Sequence, residues 1–312
     1  SYNVDYSDPG QNEFWYLMDI GSQNYIDYWL EATETDIINQ AWKAEGIYVD
    51  NCIVFNTGYA QPVNYPDDSA WSSTMNQFVQ ALVTGLESSG QKMWANRGKT
   101  TSQGGYSDWM ALDQSGNAHS VVMEEGAFAV SWDDTDTSDT KFYPENSWKR
   151  QVDLLGMIEN SRIAYVSHTD LDEAEVGVDN SGKPVTFWQS MYYALGSYLL
   201  GKNDLLNNAY FMFRGKSGYS KIWWYDEYDK IDFGRAMGNY QISDMNGDNI
   251  YWREFESGYV YVNPTENDVN GVVLPQFGKI ITHENLLEPL RTIPIVSSIN
   301  IPSHHAVFVH KL

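Results

Sequence analysis

The feature that most constrains this chain is a repeated pair: a short apolar run that closes on polar residues, then a longer stretch with helical periodicity. The short runs are Trp15 to Ile20, Ile47 to Asp50, Lys92 to Asn96, Val121 to Glu125, Ile163 to Ser167 and Tyr210 to Arg214. Between them lie Asn24 to Lys43, Ala70 to Ser88, Trp148 to Glu159 and Thr186 to Leu200. In the second of these, Met75, Phe78, Val79, Leu82, Val83 and Leu86 recur at three- and four-residue steps, which places them on one side of a helix resting on a sheet. Alternation of strand and helix is the pattern of a parallel α/β fold. The strand starts fall about 30 to 45 residues apart, a spacing that fits the units of a TIM-type (β/α)8 barrel with long loops on one face. The barrel is assigned to residues 1–237.

Beyond Gly234 the pattern changes to short alternating runs with turns between them. Ile250 to Phe255 and Tyr259 to Val262, joined through Glu256-Ser257-Gly258, read as an antiparallel hairpin. Val272 to Pro275, Phe277 to Ile281, Ile293 to Ile301 and Ala306 to His310 continue the theme. A small C-terminal antiparallel β-sandwich is therefore expected over 238–312.

Charge narrows the partners. Nineteen Lys and Arg against 42 Asp and Glu leave a formal net charge of −23, which repels phosphate backbones and anionic lipid, so no nucleic acid is expected as a partner. No apolar run is long enough to span a bilayer. A hydrophobic fraction of 42% suffices for a sizeable core and excludes disorder as the main state. Cys52 is the single cysteine, so neither an intrachain disulfide nor a cysteine-cluster metal site is available. Low cysteine and strong acidity fit an extracellular or cell-surface setting. The 12 Trp and 22 Tyr exceed what a core needs, and many stand beside Asn, Asp and Gly, where flat, partly wet rings suit sugars.

In a parallel barrel the strand ends converge on one face, so polar residues closing the strands are aimed at a shared site. They are Asp19, Asp50 with Asn51, Asn96 with Arg97, Glu124 with Glu125, His168 with Asp170, and Arg214. Hydrolysis of a glycosidic bond needs two carboxyl groups, one to protonate the leaving oxygen and one to act as nucleophile or base. Asp50 and Glu125 are the candidate pair. Side chains alternate along a strand, so Glu124 and Glu125 face opposite ways, and Gly126 lets a substrate approach Glu125 closely. Asp19, Asn51, Trp94, Asn96, Arg97, Glu124, Trp132, His168, Asp170 and Arg214 are the candidate substrate contacts. Trp188 and Trp223 follow Trp94 and Trp132 as candidate sugar platforms. Each Asp also has a purely structural role open to it as a cap or turn former, and Asp19, before Gly21 and Ser22, fits that role best.

No cofactor is expected. The run Asp133 to Asp139 reads as a solvated loop. Asp244, Asn246 and Asp248 have the alternation of a calcium loop, but Asn249 stands where Gly is needed and no Glu occupies the twelfth position. His304 and His305 lack partners at ligand spacing and are read as surface residues. The chain has no G-x-S-x-G, no phosphate loop and no G-x-G-x-x-G after a strand, which removes the usual support for esterase, kinase and dehydrogenase.

Three segments carry a family resemblance. WYLMDIGSQNYIDYWLEATETDIINQAWKAEGIYVDN, VVMEEGA and IYWREFESGYVYVNPT together resemble TIM-barrel glycoside hydrolases of the hypothetical glycosyl hydrolase type and, more distantly, α-galactosidase-like barrels. In the latter group the nucleophile closes the fourth strand and the acid/base residue the sixth. By position, the resemblance implies Asp50 and Glu125 in those roles, with retention of anomeric configuration. It also implies that Trp15 to Ile20 is the third strand, so that this chain supplies strands three to eight. An N-terminal segment or a second polypeptide would then complete the barrel, since strand edges do not stay uncovered. The implied activity is cleavage of a glycosidic bond in a polysaccharide or oligosaccharide. A saccharide-binding or structural surface protein that keeps the scaffold is the alternative, and a lyase using Asn96, Arg97 and His168 is a third reading.

Overall fold

The structure is a computed structural model that describes residues 2–4, 15–40, 44–53, 64–114, 121–131, 138–218, 220 and 222–312. Five of the six apolar runs form the parallel sheet. They are β1 (Gly46–Val49), β2 (Lys92–Asn96), β3 (Val121–Glu125), β4 (Ile163–His168) and β5 (Ala209–Arg214), hydrogen-bonded in that sequential order. Sequential order is what a series of like-handed βα crossovers produces.

The sixth run corrects the expectation. Trp15–Leu17 pairs antiparallel with Tyr2–Val4, Trp15 opposite Val4, in a separate two-stranded ribbon. It is therefore not a strand of the parallel sheet. A short apolar run encodes neither the direction nor the identity of its neighbour, so periodicity alone misassigned it. The described residues hold five parallel strands, and the eight-stranded barrel stays an expectation of the resemblance.

The chain forms two compact units, Ser1–Glu124 with Ile158–Ala164, and Glu125–Met157 with Tyr165–Leu312. In the first, helix α1 spans Gln23–Thr33 and continues as a wider turn over Glu34–Ile38. Helix α2 (Asp68–Ser88) begins where the Asp67 carboxylate accepts from the Ala70 N–H at 2.8 Å. Its apolar stripe packs with Ile47 of β1 and Met93 and Ala95 of β2 in one cluster. A Cβ added to Gly85 of α2 would come within 2.7 Å of the Leu30 side chain, so that glycine sets how closely α1 approaches. Helix α3 (Gln103–Gln114) was not expected, because Gly104 and Gly105 weaken its helical signal and it buries few apolar side chains. Its Asp113 carboxylate accepts from the N–H groups of Glu159, Asn160 and Ser161 at 3.0, 2.9 and 2.7 Å, fixing the turn before β4.

In the second unit, helices α4 (Glu145–Met157) and α5 (Phe187–Gly201) accompany a six-stranded antiparallel sheet. The strands are β6 (Gln241–Met245), β7 (Asp248–Glu254), β8 (Gly258–Asn263), β9 (Val269–Ile281), β10 (Val296–Ile301) and β11 (His305–Lys311), in the order β6-β7-β8-β11-β9-β10. The expected hairpin is present as β7 and β8, with Tyr251 opposite Val262. The six strands belong to one curled sheet, whereas the sequence pattern suggested a sandwich; alternation shows which face is apolar but not how many layers cover it. The Asp244-to-Asp248 segment is the β6–β7 turn, where the Asp244 carboxylate accepts from the Gly247 N–H at 2.7 Å and Asn246 and Gly247 adopt positive φ. Among the described residues no helix is long and apolar enough to cross a membrane.

Helix α5 lies directly on this sheet. A Cβ at Gly196 would stand 2.4 Å from the Ala306 Cβ of β11. The Trp148 indole of α4 donates to the Ser197 hydroxyl at 2.8 Å. At the far end, the buried Arg253 of β7 caps α5: Nη1 donates to the carbonyls of Leu199, Leu200 and Lys202 at 3.1, 3.0 and 2.8 Å, and Nε to Gly238 at 2.8 Å. The Leu199 and Leu200 carbonyls lie in the last turn, where the helix offers no partner, and the cation suits the negative end of its dipole. Replacing Arg253 by Met should cost on the order of 3 kcal/mol, because several buried carbonyls lose a charged donor. Lys should recover only a fraction, lacking the planar fork. Urea unfolding of the three proteins checks both statements.

Candidate active site

In the first unit, Asp50 follows β1 directly and sits in a cradle of donors. Its Oδ1 accepts from the Asn51 N–H at 2.8 Å, the Asn96 amide at 2.9 Å and the Tyr48 hydroxyl at 3.2 Å, and its Oδ2 from the Asn51 amide at 3.3 Å. Asn51 has φ +54°, a left-handed conformation that Asn tolerates better than most residues. The Cys52 N–H donates to the Asn96 carbonyl at 2.8 Å, extending the link between the ends of β1 and β2. Burial pushes the Cys52 thiol up to about 11, so it is no nucleophile at neutral pH. Beside the cradle, Tyr48 of β1 stands in register with Trp94 of β2. The two rings are 52% and 37% exposed, forming an aromatic pair one step along the strands from Asp50 and Asn96. The sequence reading found Trp94 but missed Tyr48; its place two residues before Asp50, on the same face of the strand, was the available signal.

Three other candidates in this unit point elsewhere. Arg97 is fully buried, and its Nη2 donates to the Asn76 carboxamide oxygen of α2. Burial lowers its pKa to about 10, so it stays charged. Glu124 is buried and accepts from the Thr100 N–H at 3.3 Å. Asp19 closes the turn before α1: its Oδ1 accepts from the Gly21 N–H at 3.2 Å and from the Tyr65 hydroxyl, and its Oδ2 from Asn64 at 3.2 Å.

In the second unit, Glu125 ends β3 with Arg214, the last residue of β5, 3.6 Å from its Oε1. The turn that follows is tightly held. Gly126 and Phe128 have φ of +86° and +60°, the latter uncommon for a bulky residue. The Gly126 and Ala127 N–H groups donate to the Val166 carbonyl at 2.8 and 3.0 Å. The Phe128 N–H donates to the Gln151 side chain at 2.9 Å, and the Tyr143 hydroxyl to the Gly126 carbonyl at 2.8 Å. Tyr143 was also missed, since no motif surrounds it; most of the acidic run before it, read from the sequence as a solvated loop, lies outside the described residues. His168 is buried, with Nδ1 accepting from the Ser131 N–H at 3.2 Å. Asp170 is exposed, its N–H donating to the Asp139 carbonyl at 2.9 Å. Trp188 stacks on His283, and Trp223 is buried against Phe187, so both rings are occupied in packing. Trp132 lies outside the described residues. His304, expected at the surface, is 2% exposed: its ring stacks on Phe142 and meets the edge of Tyr193.

Burial, with Arg214 adding to it, lowers the His168 pKa from its ordinary 6.5 to about 3. A histidine held neutral in the fold contributes stability above the unfolded pKa and loses that contribution as pH falls toward the folded one. His168→Asn, which keeps an acceptor for Ser131, should therefore lose less stability than the wild type between about pH 6.5 and 3. Melting temperatures measured across that range test the expectation.

Comparison with curated proteins gives no match. A family model described as hypothetical glycosyl hydrolase family 15 matches residues 7–259, which is most of the chain. The match takes in the Asp50 cradle, the Glu125 turn and Arg253, and on it the chain belongs to hypothetical glycosyl hydrolase family 15.

Proposed function

We propose that the chain hydrolyses a glycosidic bond in an oligosaccharide or polysaccharide with retention, Asp50 acting as nucleophile and Glu125 as acid/base. The observation that carries this reading is the Asp50 cradle, in which four hydrogen bonds orient one carboxylate beside an exposed aromatic pair. Donors fixed before the reaction need no reorganisation during it, and pyranose rings stack on flat aromatic faces. Glu125 is taken as the partner because it closes a parallel strand on a held turn with Gly126 next to it, and because the family resemblance implies that role. Arg214 orients its carboxyl group.

In the first step Asp50 attacks the anomeric carbon, the bond to the leaving oxygen breaks, and Glu125 gives that oxygen its proton. In the second, Glu125 takes a proton from water, the water oxygen attacks the anomeric carbon, and the Asp50 ester bond breaks. Two inversions give net retention. The lyase reading loses support, because Arg97 and His168, which would have to meet a uronate, are both buried.

A panel of polysaccharides with reducing ends measured supplies the substrate. On it, Asp50→Asn and Glu125→Gln should each fold normally and lower turnover about a hundred- to ten-thousandfold. Glu124→Gln should matter far less. Proton NMR of the first-formed product should show the substrate's anomeric configuration; the inverted anomer would make Asp50 a general base. Tyr48→Ala with Trp94→Ala should raise KM more than it lowers kcat. Saccharide binding without turnover in the wild type would favour the non-catalytic alternative.

A further inference from the structure

We propose that Asp179, Glu266 and His304 form a binding site for one divalent transition-metal ion, separate from the hydrolytic reading. The three residues come from three turns of the second unit. Asp179 lies between the paired strands Val176–Val178 and Pro184–Thr186, Glu266 between β8 and β9, and His304 between β10 and β11. One ligand atom from each lies within 4.8 Å of the other two.

The imidazole is the informative member. Its Nδ1 faces Asp179 Oδ2 at 4.0 Å and its Nε2 faces Glu266 Oε1 at 3.7 Å, both too long for hydrogen bonds. Nδ1 is a buried nitrogen with no hydrogen-bond partner. A neutral imidazole has one N–H and one lone pair, so whichever tautomer forms, one lone pair confronts a carboxylate oxygen. A proton or a metal ion relieves that clash. The histidine side chain is only 3% exposed, and burial disfavours the protonated ring, whereas a metal ion uses the neutral one. An imidazole gives one nitrogen to one ion, and because one ligand atom from each residue lies within 4.8 Å of the other two, bonds of about 2.0 to 2.2 Å let a single ring nitrogen share the ion with both carboxylates after small shifts, the other nitrogen keeping its N–H.

The surroundings are built to hold the ligands. Asp179 Oδ1 is fully used, accepting from the Ser181 N–H, the Ser181 hydroxyl and the Lys183 N–H at 2.8, 2.7 and 2.9 Å, which leaves Oδ2 turned toward His304. His304 adopts φ +46° and stacks on Phe142. Asp179 and His304 are thus the fixed half of the site, and Glu266, 55% exposed, is the third ligand on the solvent side. The nearest competing cation is Lys183, whose Nζ lies 3.4 Å from Glu266 Oε2 and also donates to the Glu266 carbonyl. One imidazole nitrogen with two carboxylate oxygens suits zinc or its neighbours better than calcium, which prefers oxygen alone.

The test uses the whole chain stripped with EDTA and zinc chloride as the probe, read by calorimetric titration and thermal unfolding. One zinc ion per chain should bind and raise Tm. Glu266→Gln removes only an exposed carboxylate, so the metal-free Tm should hold while zinc affinity falls on the order of ten- to a hundredfold. Asp179→Asn, which keeps the Oδ1 contacts, should do the same. Lys183→Met should tighten binding by removing the competing charge. His283→Gln, at a histidine paired with Glu227 instead, should leave affinity unchanged. Absence of stoichiometric zinc binding, equal affinity in wild type and both carboxylate variants, or tighter binding of calcium than of zinc would each overturn the proposal. None of these outcomes bears on glycoside turnover, so the two proposals stand or fall separately.

Discussion

The second unit depends on one buried guanidinium. Arg253 belongs to β7, yet its donors are spent on the last turn of α5 and on the carbonyl of Gly238. A helix end packed against a sheet is a poor place to leave carbonyls, because water that would otherwise satisfy them is excluded. The same charge that is expensive to bury is offset once four oriented carbonyls and the Phe255 ring face it. Asn263, at the other end of the hairpin, plays a similar part: its amide donates to the carbonyls of Asn267, Ile301 and Pro302, while its oxygen accepts from Thr265. The polar residues of the segment IYWREFESGYVYVNPT therefore hold turns and helix ends together, and the family resemblance in that half of the chain is a resemblance of framework.

Most of the scaffold was legible because burial imposes periodicity. The stripe on α2 and the apolar runs of β1 to β5 state which side of each element meets the core, and that is the information a sequence carries locally. What it does not carry locally is the identity of a strand's neighbour. Trp15–Leu17 reads like the other apolar runs and pairs antiparallel with Tyr2–Val4. The six C-terminal strands alternate as sandwich strands do and form one sheet. Helix α3 escaped notice for the opposite reason, since two adjacent glycines obscure a helix whose Trp109 and Leu112 are nonetheless buried.

The candidate site was legible where strand phase decides, and opaque where turns decide. The contact of Asn51 with Asp50 follows from adjacency, and Trp94 shares the facing of Asn96 because they are two residues apart on β2. Arg97, one residue later, lies past the strand's end, where Gly98 and Lys99 take φ of +55° and +67°, and the guanidinium turns inward to α2. His304 shows the same limit. Its partners Asp179 and Glu266 are 125 and 38 residues away in the chain, a separation from which no ligand spacing can be read.

The left-handed residue after Asp50 has a consequence for how such a protein diversifies. Because Asn51 bends the chain and supplies two of the donors to the carboxylate itself, and because Tyr48 of β1 and Asn96 of β2 supply the other two, the orientation of Asp50 is settled by these strand ends and by residues up to Cys52, which is itself tied to the Asn96 carbonyl. Sequence beyond Ile53 can then lengthen, shorten or change composition while the carboxylate keeps its aim. Asn51 is thus the joint at which a fixed carboxylate meets sequence that is free to vary.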